Sequence, residues 1–106
     1  MHPSRLLLAL ATLLPAACQP PRPSTEATYR CSDGRAVKAT YGDADHVRLA
    51  IDGAPYRLTV AMSASGARYV GEGWQWWTKG MHDAWLAPLQ PGETVASAPG
   101  VACQAR

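Results

Sequence analysis

The sequence has no phenylalanine. Any core must therefore be filled by tyrosine, tryptophan and aliphatic side chains, and the first two carry polar tips that need partners. Beyond the apolar run near the start, no window of ten residues holds apolar positions at helical spacing, which excludes a helical bundle. Basic residues form no stripe, so nucleic acid is not an expected partner. Acidic residues form no block either. Of the ten basic residues, Arg5 and Arg22 lie ahead of the stretch that reads as folded, leaving eight against eight acidic ones. The longest apolar run, Leu6 to Ala17, is too short to cross a bilayer. What such a run behind Arg5 does suit is a secretory signal, which predicts an exported chain.

Cysteine is also scarce, three residues in all. Leu14-Pro15-Ala16-Ala17-Cys18 resembles a bacterial lipoprotein box, with Pro15 where the usual box has an aliphatic residue. That resemblance implies cleavage after residue 17 and a lipid on Cys18, anchoring the chain to a membrane. Gln19 after the cysteine implies, by likeness to enterobacterial lipoproteins, the outer membrane, with the domain facing the periplasm. Residues 18–26 contain three prolines and no periodicity, and read as a semi-extended tether. The folded domain is expected over residues 27–106, a size at which one core is marginal and a covalent staple helps. Cys31 and Cys103 bracket nearly all of it, in a chain bound for an oxidising compartment. A disulfide between them is expected; a redox or metal pair would need tighter spacing. It would close a loop of about 73 residues, on the order of 4 kcal/mol in the chain-entropy model.

The domain alternates with a period of two. Val37, Ala39 and Tyr41 oppose Lys38 and Thr40; Val47, Leu49 and Ile51 oppose His46, Arg48, Ala50 and Asp52; Leu58, Val60 and Met62 oppose Arg57, Thr59 and Ala61. Turn residues fall between these runs at Asp33-Gly34, Gly42-Asp43, Asp52-Gly53, Ser65-Gly66 and from Gly71 to Gly73. Strands are predicted near residues 27–32, 35–41, 46–52, 56–62, 67–70, 74–78, 83–87 and 101–104, with a long polar loop before the last. Such recurrence suits an antiparallel sandwich or a small closed barrel. Trp74 and Trp76 share one strand face, Gln75 and Trp77 the other. One pair is core, and a tryptophan on the opposite face is the kind of exposed aromatic that anchors interfaces.

Four motifs occur in sequence: Tyr29-Arg30-Cys31 with Asp33-Gly34, then Ser63-Ala64-Ser65-Gly66-Ala67-Arg68-Tyr69, then Trp76-Trp77-Thr78-Lys79-Gly80, then Ala102-Cys103-Gln104. Their order and spacing, over about residues 29–104, resemble the bacterial membrane-bound inhibitors of c-type lysozyme, the MliC/PliC family. The resemblance implies an all-β protein: a small eight-stranded antiparallel barrel with one disulfide, working as a monomer without cofactor or catalysis. It implies that one loop enters the lysozyme cleft, with Ser65 and Lys79 facing the catalytic carboxylates. Ser63, Gly66, Arg68 and Tyr69 belong to the same motif and join them as lysozyme-binding residues.

Elementary chemistry agrees with that assignment. A retaining glycosidase holds two carboxyl groups about 5 Å apart, one protonated and one ionised. A serine hydroxyl both donates and accepts, and an ammonium donates three hydrogen bonds while neutralising charge. Gly66 lets the chain bend where a Cβ would obstruct. Taken singly, the same residues have plainer readings. Ser63 and Ser65 suit a turn whose hydroxyls serve nearby backbone, Lys79 and Arg68 a solvated surface, and Tyr69 the core. Ser65, His82 and Asp83 supply the side chains of a catalytic triad, but neighbouring His82 and Asp83 on a strand point to opposite faces. His46 and His82 lack metal-ligand spacing. The other class to weigh is a structural or ligand-carrying envelope lipoprotein. A barrel of about 80 residues is filled by its own side chains, which disfavours a ligand cavity.

Overall fold

The computed structural model describes residues 24–106. The apolar leader, Cys18 and the prolines after it lie outside the described residues. Eight strands follow in order: β1 Thr25–Cys31, β2 Ala36–Tyr41, β3 His46–Ile51, β4 Ala54–Ala61, β5 Ala67–Gly71, β6 Trp74–Lys79, β7 Asp83–Pro88 and β8 Val101–Ala105. Each pairs antiparallel with the next, and β8 returns to β1, closing a barrel rather than a sandwich. Strand β1 takes in Thr25 and Glu26, opposite Tyr41 and Thr40, so the ladder begins two residues earlier than the tether suggested.

The alternation becomes the inside and outside of the barrel. Val37, Ala39, Val47, Leu49, Ile51, Leu58, Ala84 and Leu86 are buried in one cluster with Tyr29, Tyr69 and Trp76. Two hairpins are tight because Asp52-Gly53 and Glu72-Gly73 all take positive φ, from 45° to 86°, as two-residue turns between twisted strands require. An inward-facing apolar position comes out into solvent at the end of β4. Leu58 is buried, but Val60 is exposed at the barrel mouth opposite Tyr69, and Met62 lies beyond the strand in solvent. Alternation along a strand does not reveal where that strand leaves the core.

With no phenylalanine, the core solves its polar-tip problem internally. Trp76 is fully buried, and its indole Nε1 donates to the Tyr41 hydroxyl at 3.0 Å. The Tyr41 and Tyr29 hydroxyls lie 3.5 Å apart, and the Tyr29 ring meets Trp76 edge-on at 4.9 Å. Burial pushes the Tyr41 hydroxyl far above the ordinary tyrosine range, against the opposing pull of the Trp76 hydrogen bond. Among the described residues, no buried side-chain nitrogen or oxygen lacks a partner, which avoids the cost of about 1–3 kcal/mol of each orphan.

The barrel closes where Tyr29, Arg30 and Cys31 pair with Ala105, Gln104 and Cys103. The Cys31–Cys103 disulfide sits in this seam, with both residues buried. It joins the first and last strands at the point where, in a linear order, two sheet edges would lie open. The long connection 89–100 does not hang free. Its Thr94 carbonyl and Ala96 N–H bond to Arg68 and Gln75. Outward-facing side chains of β5 and β6 are thereby covered.

Candidate functional site

Three turns leave one end of the barrel: 42–45, 62–66 and 80–82. The first is closed on itself, with the Asp43 carboxylate accepting from the Asp45 and His46 N–H groups at 2.7 and 2.8 Å. The other two carry the serine loop and Lys79.

The serine loop is fixed from behind. Ser63 Oγ donates to the Gly66 carbonyl at 3.1 Å, bending the loop on itself. Gly66 has φ of 66°, and a Cβ there would overlap the Thr78 carbonyl oxygen of β6. Glycine is thus required twice, for its torsion and for its lack of a side chain. Trp77 Nε1 donates to the Ser65 carbonyl at 2.8 Å, and Thr78 Oγ1 to the Ala67 carbonyl at 3.3 Å. These bonds use the loop's carbonyls and leave Ser65 exposed at the tip.

Arg68 holds the other side of the loop. It is only 7% exposed. Its Nε and Nη2 donate to the Met62 carbonyl at 3.1 and 2.8 Å, and Nη1 donates to the Thr94 carbonyl at 2.8 Å. Gln75 Oε1 lies 3.4 Å from the same Nη1 and accepts from Ala96 N–H at 3.0 Å. One buried guanidinium therefore ties the start of the serine loop to the long 89–100 connection. That connection is braced in turn by Glu93, whose carboxylate accepts from the Gln90 and Ser97 N–H groups at 2.8 and 3.2 Å. The Ser97 side chain first, then the Gln90 N–H, holds the Glu93 carboxyl below its ordinary range.

Lys79 ends β6, exposed, opposite Asp83 across the turn. Its Nζ lies 5.2 Å from the centre of the Trp77 ring. Trp77 is thus shared: its edge holds the Ser65 carbonyl and its face attracts the Lys79 ammonium, an exposed cation–π contact of about 0.5–1 kcal/mol. The sequence alone placed Trp77 with Gln75 on the face opposite Trp74 and Trp76, where an exposed tryptophan would suit an interface, but gave it no link to Ser65 or Lys79. Its position two residues before Lys79, pointing to the same side of β6, was the available signal.

The six sequence-derived residues fall into two groups. Ser65 and Lys79 are exposed and linked through Trp77. Ser63, Gly66, Arg68 and Tyr69 lie behind them. Tyr69 is 7% exposed, inside the barrel and near Tyr41, and burial raises its hydroxyl above the ordinary range. Arg68 and Tyr69 are accordingly supports in this structure rather than rim surface. Among the described residues, no three His, Cys, Asp or Glu side chains gather as a metal site needs.

Fold and site together define a small stapled barrel that presents one rigid, polar tip, the form of a protein-binding module. The family model described as membrane-bound lysozyme-inhibitor of c-type lysozyme matches residues 29–88, over half of the chain. The chain belongs to this MliC family, which is a family of inhibitors and not of enzymes. A membrane-bound lysozyme inhibitor of c-type lysozyme from Cupriavidus necator is 38% identical over 82 residues, covering 74% of this chain. The match spans 63% of that relative's length. A crystal structure of Pseudomonas aeruginosa MliC in complex with hen egg white lysozyme superposes with a TM-score of 0.54 at 28% identity. It covers 79% of this chain and 83% of that one.

Proposed function

We propose that this chain inhibits c-type lysozyme by seating the tip of residues 63–66 and the Lys79 ammonium in the enzyme's cleft, protecting bacterial peptidoglycan. The observation that carries the reading is the shared hold of Trp77 on Ser65 and Lys79. One indole thus holds the backbone of exposed Ser65 and attracts the ammonium of exposed Lys79. Preorganisation of this kind lowers the entropy lost on docking. In the cleft, Lys79 pairs with the ionised carboxylate while the Ser65 hydroxyl bonds to either protonation state. The tip offers no glycosidic bond, so the enzyme is occupied and turns nothing over. The Pseudomonas aeruginosa relative, seen with hen egg white lysozyme, supports the choice of partner. The lipid on Cys18 and the outer-membrane position belong to the same proposal. They rest on the lipoprotein-like leader and the membrane-bound family name.

The test is lysozyme activity titrated with the chain from Gln19 onward. The parent is expected to inhibit at near-stoichiometric amounts. Ser65→Ala and Lys79→Ala are each expected to weaken inhibition by about tenfold or more, the effect of one lost charge-assisted hydrogen bond. Ser65→Ala should melt like the parent, and Lys79→Ala only a few degrees lower, having lost just the exposed cation–π contact. Full inhibition by both variants would move the site elsewhere; no inhibition by the parent would favour a structural lipoprotein.

A further inference from the structure

Among the large apolar side chains described, Met62 and Met81 are the most exposed, at 91% and 86%. Both stand at the candidate site. Met62 immediately precedes Ser63, and Met81 follows Lys79 with only Gly80 between them. Neither sits on a loose base. The Met62 carbonyl is gripped by two N–H groups of the buried Arg68 guanidinium. The turn of Met81 is closed by the Lys79–Asp83 pair and held by the His82 carbonyl, which accepts from Ala105 N–H at 2.8 Å. Two thioethers are therefore displayed from fixed backbone, one in the loop that carries Ser65 and one in the turn that follows Lys79. Exposed apolar groups of this size, beside a polar centre, mark contact surface. The flexible, polarisable methionine side chain adapts to an irregular partner.

We propose that Met62 and Met81 form an apolar rim that packs against the edges of the lysozyme cleft, and that their oxidation by a peroxide releases the enzyme. This rests on the reading of Ser65 and Lys79 as the groups that enter that cleft. In each oxidation the thioether sulfur attacks a peroxide oxygen. The S–O bond forms as the O–O bond breaks; the sulfur loses two electrons, and hydrogen peroxide is reduced to water. The sulfoxide that results is polar and must be desolvated on docking, without a built partner. The rim thus couples inhibition to the oxidant level around the envelope.

The composition makes the test clean. The chain has three methionines, and Met1 lies in the leader, so the chain from Gln19 onward carries only Met62 and Met81. That chain keeps the whole closed barrel and lacks the Cys18 thiol. It is treated with hydrogen peroxide until mass spectrometry shows two added oxygen atoms, and inhibition and melting are then measured. Inhibition is expected to weaken by about tenfold at an unchanged melting temperature, and methionine sulfoxide reductases should restore it. A Met62→Leu/Met81→Leu double variant should inhibit like the parent and ignore peroxide. Unchanged inhibition by the oxidised parent, or an equal loss in the double variant, would overturn the rim while leaving the tip assignment standing. If untreated parent fails to inhibit, the tip and the rim fall together.

Discussion

The two ends of this barrel are built from similar turns and spend their polar groups differently. At the end away from the serine loop, side chains turn back on the chain. Asp52 Oδ1 accepts from the Ala36 N–H at 2.9 Å, and Glu72 Oε2 from the Arg57 N–H at 2.7 Å. Arg35 pairs with Asp33 at 2.7 Å and lies over the Trp74 ring at 5.2 Å. At the other end the 42–45 turn is closed in the same way by Asp43, but in the serine loop beside it backbone carbonyls do the binding instead. The carbonyls of Met62, Ser65, Gly66 and Ala67 all accept from side chains. The side chains of Met62, Ser65 and Lys79 are left facing outward. A turn fixed through its carbonyls can be rigid and still keep its side chains for a partner, which a turn fixed through its side chains cannot.

Three variants would break or sharpen this contrast. The largest effect is expected from Cys31→Ser/Cys103→Ser, which removes the seam staple and spares neither end. Stability should fall by roughly 2–5 kcal/mol, the usual range for a native disulfide in a small exported domain. A melting curve like the parent's would contradict the seam argument. Gly66→Ala comes next and should separate the ends. The added Cβ meets the Thr78 carbonyl, and the positive φ alone costs about 1 kcal/mol or more. Inhibition should drop by more than the stability change explains, because the loop must lift off β6. Inhibition at the parent's level would show that the tip need not be held there. Glu72→Ala should have the smallest effect, about 1 kcal/mol for one lost hydrogen bond at the far end, with inhibition untouched. Weakened inhibition by this folded variant would mean the far end also takes part.

Much of this was legible in the sequence because closed sheets obey period two. The eight predicted strands coincide with β1 to β8 to within two residues at each end, and Val37, Leu49 and Leu58 lie inside as their alternation requires. What escaped notice depends on the third dimension. Met62 continued the apolar alternation of Leu58 and Val60, yet lies outside because β4 ends at Ala61. Arg68 has the sequence setting of a surface residue. It is buried because a connection 26 residues away folds over it, and nothing in a polar loop says where the loop will lie. Trp77 read as an aromatic that could anchor an interface. Its function in joining Ser65 to Lys79 appears only once β5 and β6 are paired in register.

The central claim, that the Ser65–Lys79 tip occupies the sugar-cleaving groove, is tested most directly by competition. Hen egg white lysozyme is titrated with the chain from Gln19 onward, with and without a chitooligosaccharide that fills the groove. Apparent affinity should fall in proportion to the oligosaccharide present, and Lys79→Ala should bind more weakly under both conditions. An affinity that ignores the oligosaccharide would place the contact outside the groove and contradict the account.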